Sequence, residues 1–530
     1  MKLLTRYSTH IQKAILLSFL VLLSLIVVAQ ANPILKLPGR DNGTYLYIGS
    51  QILSGKLPYK DAWESKPPAI FYVNALGLWL GKGTRLGVWL MEFFAIFLAT
   101  LISFILLQRL WKNQAALFGT LVWLYGLNRT LEGGNLTEEY SLPFSFLALL
   151  VFLYALEKPN LRFPDILIGT LFAINFLFRP NNTITQAAIA LTLILLCFIQ
   201  GNYRLLFFRL GALAIGALAV ILIPVLYFWQ EGALLEFYNA TITFNITYST
   251  TTIIANSNPL QSGFIILGAS TWIAFAGFIL SCAFLIRSIQ TEKTTPPINL
   301  FLLVGYLAAI PLTDPASRAY SHYYMTWLPL IAMSSGYLYF IVQTQLFSRM
   351  RFFKDNEVRD NLVALFLTIT MVITSGVGMN YFRALDRLST HEGLKFGRRS
   401  AVARYVKNHT ASDEMVYFWG GFPGENFMSQ RDSPTPYLYY PLYLDSDLSD
   451  EINNAFLEDL MTQPPVLIID MNYQRALSFV PDTRVAQLSS GVDFPYLPKN
   501  LYKVYDFIEE NYYLESTIGS KKVYRLYGTN

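Results

Sequence analysis

Long apolar runs separated by short polar turns constrain this sequence more than any other feature. We identify eleven runs, at about 13–31, 86–108, 114–128, 141–156, 165–179, 183–200, 208–229, 263–286, 298–312, 323–345 and 361–380. A bilayer crossing takes about 20 apolar residues in a helix. Charged residues make up only 14% of the chain, against about 25% in soluble domains. The sequence therefore predicts a polytopic membrane protein of about 11 transmembrane helices, and excludes a soluble enzyme, a disordered regulator and a fibrous protein.

Three details of the apolar runs bear on the topology. The stretch 67–81 is apolar but short, which predicts an interfacial or re-entrant helix. Glu92 lies inside a run and needs a polar partner within the bundle. The first run also has the basic start and small-residue end of a signal peptide, but a retained span fits the topology.

The basic residues predict the orientation of the spans. Lys and Arg favour the cytoplasmic side, and every turn after an even-numbered run is basic. The last of these turns carries Arg349, Arg351, Lys354 and Arg359. With the basic N-terminus inside, an odd number of spans places the chain after residue 380 outside the cytoplasm.

The composition changes after residue 380, where the chain becomes polar, rich in Tyr and interrupted by Gly and Pro. Residues 466–470 and 522–527 have the patterns of a buried and a half-buried strand, while 397–408 and 449–462 have helical patterns. We therefore predict a transmembrane domain over 1–380 and a small α/β extracytoplasmic domain over 381–530.

The polar residues suited to chemistry fall almost entirely in the predicted outside turns. They form the motifs Arg40-Asp41, Glu64-x-Lys66-Pro67-Pro68, Glu138-Glu139, Arg179-Pro180-Asn181-Asn182 and Arg318-x-x-x-His322-Tyr323-Tyr324. Each also has a structural explanation: helix capping for the acidic residues, interfacial anchoring for Glu64 and Lys66, snorkelling for Arg179 and a local hydrogen bond for His322.

Four of these motifs, those that begin at Arg40, Glu64, Glu138 and Arg318, resemble in this order those of the C-type (GT-C) membrane glycosyltransferases. The resemblance covers about residues 1–380 and is greatest to the bacterial branch of the protein mannosyltransferase and lipid A aminoarabinose transferase superfamily (glycosyltransferase family 39-like). It implies transfer of a sugar from a polyprenyl-phosphate donor to an acceptor outside the cytoplasm. A membrane bundle followed by an external soluble domain matches the same group.

The resemblance also implies roles for individual residues. Asp41 matches the general base of the family, and Glu64 matches a residue that orients the acceptor or a metal. Glu139 is favoured over its neighbour Glu138 for a further acidic position, although the register between them is open. Lys66 matches a ligand of the donor phosphate, and Arg318 and His322 are assigned to the same phosphate, although His322 could instead ligate a metal with Glu64. Arg179 is assigned to the phosphate on its chemistry, because its guanidinium fork suits a phosphate.

Cofactors and partners follow less directly. The predicted transmembrane domain, residues 1–380, has no Asp-x-Asp pair and no His/Glu spacing typical of a metal site. A divalent metal is possible, and whether the protein needs one stays open. A Gly-rich phosphate loop is also missing from the sequence, which argues against a nucleotide donor. The expected partners are a polyprenyl-phosphate sugar, membrane lipids and an unknown glycan, lipid or protein acceptor, with no nucleic acid.

Two further segments have a composition that suggests a role in binding, and one sequon bears on the compartment. The loop 230–262 is predicted to be a flap over the donor cavity, and the aromatic and Gly-rich segment 417–426 a platform for a sugar ring. Asn42 begins a glycosylation sequon, and a glycan there would block Asp41, which favours a bacterial inner membrane. A secondary transporter or lipid flippase is the main alternative function, and a non-catalytic membrane scaffold is another.

Overall fold

The structure is a computed structural model that describes residues 2–251, 258–313, 318–346, 366, 369–370, 373, 376–388, 399–491, 494 and 496–529. The chain divides into two compact units. The first contains Met1–Asn32, Trp89–Pro224 and Ala255–Asp386, and the second contains Pro33–Val88, Val225–Ile254 and Arg387–Asn530. Two segments between membrane helices therefore pack with the C-terminal residues, a grouping that the sequence pattern does not reveal.

The chain is mainly helical up to the C-terminal region. In chain order the helices are α1 (Lys2–Val28), α2 (Arg40–Leu53), α3 (Ala69–Leu80), α4 (Arg85–Thr130), α5 (Thr137–Glu157), α6 (Phe163–Phe178), α7 (Ile184–Ile199), α8 (Tyr203–Gln230), α9 (Leu234–Tyr238), α10 (Phe244–Thr251), α11 (Pro259–Leu267), α12 (Ala269–Arg287), α13 (Pro297–Thr313), α14 (Leu328–Ile341) and α15 (Val377–Leu388). Short 3₁₀ or π turns adjoin several of them, at Ala29–Ala31, Pro180–Thr183, Asn239–Thr243, Ser288–Glu292, Ser321–Trp327 and Val342–Leu346.

Within the part of the chain that the structure describes, seven helical segments are long and apolar enough to cross a membrane, and three shorter ones are apolar. Ten of the predicted spans coincide with these apolar helices. The helix α4 contains two of them, separated by non-helical backbone at Trp111 and by a positive φ of 70° at Lys112. The eleventh predicted span, 361–380, lies largely outside the described residues.

Close helix packing and apolar exposure together fit a membrane environment for the first unit. An added Cβ at Gly277 in α12 would lie 2.0 Å from the carbonyl oxygen of Ser334 in α14, so only glycine permits this approach, as is usual between membrane helices. Trp123 and Trp327 are fully buried in the core. By contrast, Leu218 on α8 is 57% exposed, as expected for a side chain that faces lipid.

Two sequence expectations need correction. The predicted span 263–286 is interrupted at Gly268, whose φ of 60° ends α11 and starts α12. The segment 230–262, expected as a loop, is largely helical where it is described, since it contains α9, a π turn at Asn239–Thr243 and α10. The sequence did not predict this helix because Thr and Asn, which are frequent in the segment, also favour turns.

The C-terminal region forms the expected small α/β domain. Its strands are β1 (Val416–Trp419), β2 (Leu467–Asp470), β3 (Tyr512–Ile518) and β4 (Lys521–Leu526), in the sheet order β1-β2-β4-β3. The strands β1 and β2 are parallel, and the other pairs are antiparallel. The helices of this domain are α16 (Ala401–His409), α17 (Pro423–Ser429), α18 (Asp447–Thr462), α19 (Pro481–Ser489) and α20 (Leu501–Asn511).

Both predicted strands and both predicted helices of this domain are present, so the predicted fold class, a polytopic helical membrane protein followed by a small α/β domain, is confirmed. The cores on the two sides of the sheet are aromatic and aliphatic respectively, with Trp419 and Phe456 on one side and Val406 and Ile469 on the other.

Candidate active site

The first candidate residue, Asp41, lies in the first turn of α2. Gly39 is the residue that precedes the helix, with extended backbone, and Asp41 is therefore not the N-cap. An acidic side chain in the first turn is stabilised by the partial positive charge of the helix N-terminus. Asp41 is half-buried, so its carboxylate is held at the start of a helix in the second unit.

Glu64 and Lys66 form a compact group immediately before α3. The Glu64 side chain is buried, and its Oε1 accepts hydrogen bonds from the Ser65 backbone N–H at 2.9 Å and from the Ser65 hydroxyl at 3.1 Å. The Lys66 Nζ lies 3.5 Å from the same oxygen, and its side chain is 25% exposed. The hydroxyl of Tyr59 donates to the Lys66 carbonyl at 2.9 Å. The carboxylate is thus fixed by its neighbours, while the ammonium keeps access to solvent.

Tyr439 is a buried tyrosine whose ionisation is opposed by the charges of both predicted carboxylates. Its hydroxyl is 2.5 Å from the Thr44 hydroxyl on α2. The pKa of Tyr439 lies well above its ordinary value of 10.0, first because the phenol is buried and then because the negative charges of Glu64 and Asp41 oppose its ionisation. Both carboxylates therefore act on one neutral phenol, which sequence reasoning missed because only the general Tyr richness of the tail pointed towards it.

The segment Val225–Ile254 packs on the Glu64 group. The Asn245 side chain donates to the Ser65 carbonyl at 2.8 Å, and the rings of Trp63 and Phe244 meet edge to face with centroids 4.7 Å apart. Tyr59 makes a similar contact with Phe228 at 5.2 Å. The segment predicted as a flap is therefore helical here and contacts the residues around Glu64, and its role over a donor cavity stays a prediction. Asn245 is a further residue that the sequence analysis did not select.

In the first unit, Glu138 and Arg179 form a buried ion pair. Arg179 donates to the Glu138 Oε1 at 2.5 Å, and the Thr137 hydroxyl donates to Oε2 at 2.9 Å. The Arg179 guanidinium also lies 3.7 Å from the centroid of the Tyr323 ring. Arg179 has extended backbone just after α6 and its side chain is only 12% exposed. It therefore turns to Glu138 and Tyr323, instead of snorkelling.

The neighbouring Glu139 has different surroundings. One of its oxygens accepts the Leu136 backbone N–H at 3.2 Å, and its carboxyl group meets that of Glu92 from α4. An added Cβ at Gly134 would lie 2.2 Å from the Glu92 Oε1. Glu92 thus has a second carboxyl group as its polar neighbour within the bundle, although its Oε1 and the Oε2 of Glu139 accept no hydrogen bond from the residues that the structure describes. Glu139 helps to hold the turn before α5.

His322 contacts a carboxylate that sequence reasoning overlooked. Its Nδ1 lies 2.9 Å from the Glu132 Oε2, and the Ser321 hydroxyl donates to the other oxygen of Glu132. Glu132 has a positive φ of 47°, which is a strained conformation for a residue other than glycine. Its only sequence signal is a position next to Gly133-Gly134.

The structure thus assigns the predicted site residues to two groups. Asp41, Glu64 and Lys66 belong to the second unit, whereas the first unit holds Glu138, Glu139, Arg179, Arg318 and His322. Arg318 is half-buried. Among the described residues, no three His, Cys, Asp or Glu side chains are arranged to hold a metal ion, so the predicted divalent metal stays a prediction.

Two solved structures share this fold over nearly the whole chain. ArnT from Cupriavidus metallidurans bound to undecaprenyl phosphate matches with a TM-score of 0.57 and 14% identity, over 96% of this chain and 97% of ArnT. The apo state of the same ArnT matches with a TM-score of 0.58 and 13% identity, over 97% and 98%. No curated protein matches the chain in sequence.

The chain therefore shares its fold with ArnT, and its apolar helices make it an integral membrane protein. A family model matches residues 4–373, about 70% of the chain. On that match, the chain belongs to the family described as the competence-induced protein Ccs4 N-terminal domain.

Proposed function

We propose that this protein is a membrane glycosyltransferase that moves a sugar from a polyprenyl-phosphate donor to an acceptor outside the cytoplasm. The observation that carries the proposal is the arrangement in the second unit. Asp41 and Glu64 both act on the buried Tyr439, and Lys66 lies 3.5 Å from Glu64. The fold supports it, because the ArnT of similar fold was solved with undecaprenyl phosphate bound.

The proposed step needs one base and one group that stabilises the leaving phosphate. The acceptor hydroxyl attacks the anomeric carbon and gives its proton to the Asp41 carboxylate. The bond between the anomeric carbon and the phosphate oxygen breaks, and the polyprenyl phosphate leaves with that electron pair. The Lys66 ammonium stabilises its negative charge. Glu64 orients Lys66, and through it the phosphate.

The first unit holds the other residues predicted to bind the donor phosphate. These roles of Arg318, His322 and Arg179 stay predictions from the sequence, and Arg179 is paired with Glu138. Between the two adjacent carboxylates, we favour Glu138, because it pairs with Arg179, another predicted site residue, whereas Glu139 faces the carboxyl group of Glu92. This choice reverses the preference that the motif alone suggested.

A transporter or lipid flippase is the second candidate. The observation in its favour is the pair formed by Glu92 and Glu139 within apolar helices, because buried carboxyl groups in spans mark ion pathways in transporters. A flux assay in liposomes separates the two functions: a transferase forms a new sugar–acceptor bond, whereas a flippase only moves labelled donor across the bilayer.

The compartment and the cofactor are also part of the proposal. We propose a bacterial inner membrane, with the C-terminal domain outside the cytoplasm. A divalent metal, if used, would reveal itself as loss of turnover in a chelator and recovery on addition of Mg²⁺ or Mn²⁺.

The test uses the full chain in lipid nanodiscs with a panel of undecaprenyl-phosphate monosaccharides and membrane extracts as acceptors. We expect release of undecaprenyl phosphate and labelled product. Asp41→Asn should abolish turnover, and the exposed Asp413→Asn is the matched control. Lys66→Ala should weaken binding of undecaprenyl phosphate, whereas the exposed Lys60→Ala should not. Turnover that survives in Asp41→Asn would refute the assigned base, and absence of transfer from every donor would refute the function.

A further inference from the structure

The parallel strands β1 and β2 end at the same edge of the sheet in the C-terminal domain. The residues that follow β1 are Gly420 and Gly421, both with positive φ, and Tyr473 lies shortly after β2. In α/β folds, ligands usually bind at the carboxyl ends of parallel strands. Here this edge receives a side chain from another part of the same unit, namely Arg40.

The contacts of Arg40 fill the place expected for a ligand. Its Nε donates to the Gly421 carbonyl at 3.1 Å, and its Nη1 donates to the Tyr473 hydroxyl at 3.2 Å. The guanidinium lies 4.8 Å from the ring centroid of Tyr439 and 4.7 Å from that of Tyr473. An added Cβ at Gly421 would lie 2.8 Å from the Arg40 Nη2. The Gly-rich aromatic segment therefore binds arginine, where the sequence suggested a platform for sugar.

We call the contacts of Arg40 with Gly421, Tyr439 and Tyr473 the clamp. The clamp lies at the first turn of α2. The Thr44 hydroxyl donates to the Arg40 carbonyl at 2.9 Å and also meets the Tyr439 hydroxyl. Asp41 is the next residue after Arg40. The Arg40 side chain is therefore held by C-terminal residues, and its carbonyl by Thr44, whose hydroxyl meets Tyr439. These contacts fix the backbone from which the Asp41 side chain projects.

More contacts hold the rest of this segment to the C-terminal domain. The Tyr47 hydroxyl accepts the Ser433 N–H at 2.9 Å, and Lys56 pairs with Asp432 at 2.8 Å. The Trp63 N–H donates to the Pro436 carbonyl at 2.8 Å. The clamp is therefore the end nearest Asp41 of a continuous seam that runs as far as the Glu64 block.

We propose that Arg40, clamped between Tyr439 and Tyr473, is a positioning residue. Through this clamp, the C-terminal domain sets the position of the base Asp41. This inference rests on the proposed transferase function. Misplacement of a catalytic group by about 1 Å costs on the order of 100-fold in rate, so loss of the clamp should lower kcat. The KM for the donor should change little, because Lys66 and the phosphate ligands are untouched.

The test compares kcat, donor KM and melting temperature for full-length variants in nanodiscs. Arg40→Ala should lower kcat by about 100-fold, and Arg40→Lys should recover part of it. The matched control is Arg484→Ala. Arg484 makes the same kinds of contact, with its guanidinium 4.2 Å from the Tyr505 ring and a bond to the Phe479 carbonyl at 3.3 Å. The Arg484→Ala substitution should lower the melting temperature to an extent similar to that of Arg40→Ala and leave kcat unchanged.

A second variant keeps the test decisive if Arg40→Ala does not fold. Tyr473→Phe retains the ring but loses one hydrogen bond, which should lower kcat about 5-fold. An unchanged kcat in the folded Arg40 or Tyr473 variants would overturn the positioning role. A kcat loss in Arg484→Ala equal to that in Arg40→Ala would also overturn it, since general destabilisation would then explain both.

The same assay separates this inference from the function on which it rests. Wild-type turnover that is lost in Asp41→Asn but retained in Arg40→Ala would refute the positioning role alone. Absence of transfer by the wild-type protein would refute the proposed function, and the positioning role with it.

Discussion

Arg179 donates a 2.5 Å hydrogen bond to Glu138, and both side chains are almost fully buried in the first unit. Removing one partner of a buried ion pair leaves an uncompensated charge away from water, which costs about 3 to 5 kcal/mol. The pair is therefore sensitive to changes that keep its shape but alter its charge.

We predict that Glu138→Gln lowers the free energy of unfolding by about 3 kcal/mol, measured by thermal or denaturant unfolding in detergent. The matched control is Glu157→Gln, which breaks the exposed pair of Arg109 and Glu157 at 2.6 Å and should cost less than about 1 kcal/mol. Equal effects of the two substitutions would contradict the burial argument.

The two carboxyl groups of Glu92 and Glu139 lead to a second prediction. Glu92→Gln should be tolerated, because its amide can donate to Glu139 while its oxygen still accepts from the Asn135 backbone N–H. Glu92→Leu leaves both groups without this partner and should cost about 1 to 3 kcal/mol. The check is the melting temperature of both variants, and a leucine variant as stable as the glutamine variant would show that the contact contributes nothing.

The contrast between Glu138 and Glu139 also shows where sequence reasoning stops. Successive residues in a helix point about 100° apart, so adjacent carboxylates face different neighbours. Which one meets Arg179 depends on how α5 is rotated, and no local pattern reports this. The motif predicted an acidic site residue here, but only the folded structure shows which of the two carboxylates meets Arg179.

Contacts between distant residues set the second limit. Apolar periodicity, the basic turns and the alternating strands predicted most membrane helices and the small sheet, because those signals are local. Thr44 and Tyr439 are far apart in sequence, and so are Glu132 and His322. Only the folded chain brings such pairs together. Asp41 and Glu64 were found from sequence, whereas their shared neighbour Tyr439 was not.

Glu425 gives a prediction of pH dependence in the C-terminal domain. Burial raises the pKa of its carboxyl above the ordinary value of 4.5, although the Ser400 hydroxyl, Lys521 and the Ala403 N–H oppose the shift. A raised folded-state pKa means that the folded protein holds the proton more tightly than the unfolded chain does. The stability from this group is therefore present below pH 4.5 and is lost as the pH rises through the folded-state pKa.

We therefore expect Glu425→Gln to gain stability relative to wild type between pH 4 and pH 7, because glutamine stays neutral and still accepts from Ser400. The measurement is the difference in free energy of unfolding across this range. The exposed Glu510→Gln is the matched control. If the free energy of unfolding of the wild type instead rose relative to that of Glu425→Gln with increasing pH, the predicted direction of the effect would be wrong.

The last prediction concerns the crossing of α2 and α17, which brings the helix of Asp41 against the C-terminal domain. An added Cβ at Gly43 would lie 2.9 Å from the Gly424 Cα, and one at Gly424 would lie 3.0 Å from the Gly43 Cα. Backbone atoms cannot give way as a flexible side chain can. Gly43→Ala should therefore force the helices apart and cost about 1 to 3 kcal/mol.

Gly211→Ala is the matched control, because nothing lies within 4 Å of an added Cβ there. It should be neutral or slightly stabilising, since alanine favours helix over glycine by about 1 kcal/mol. Melting temperatures and turnover of both variants check the prediction. Separation of α2 from α17 would also displace Arg40 from its clamp, so Gly43→Ala should lose turnover along with stability. If Gly43→Ala melted at the same temperature as Gly211→Ala and kept full turnover, the close crossing would not exist in the protein.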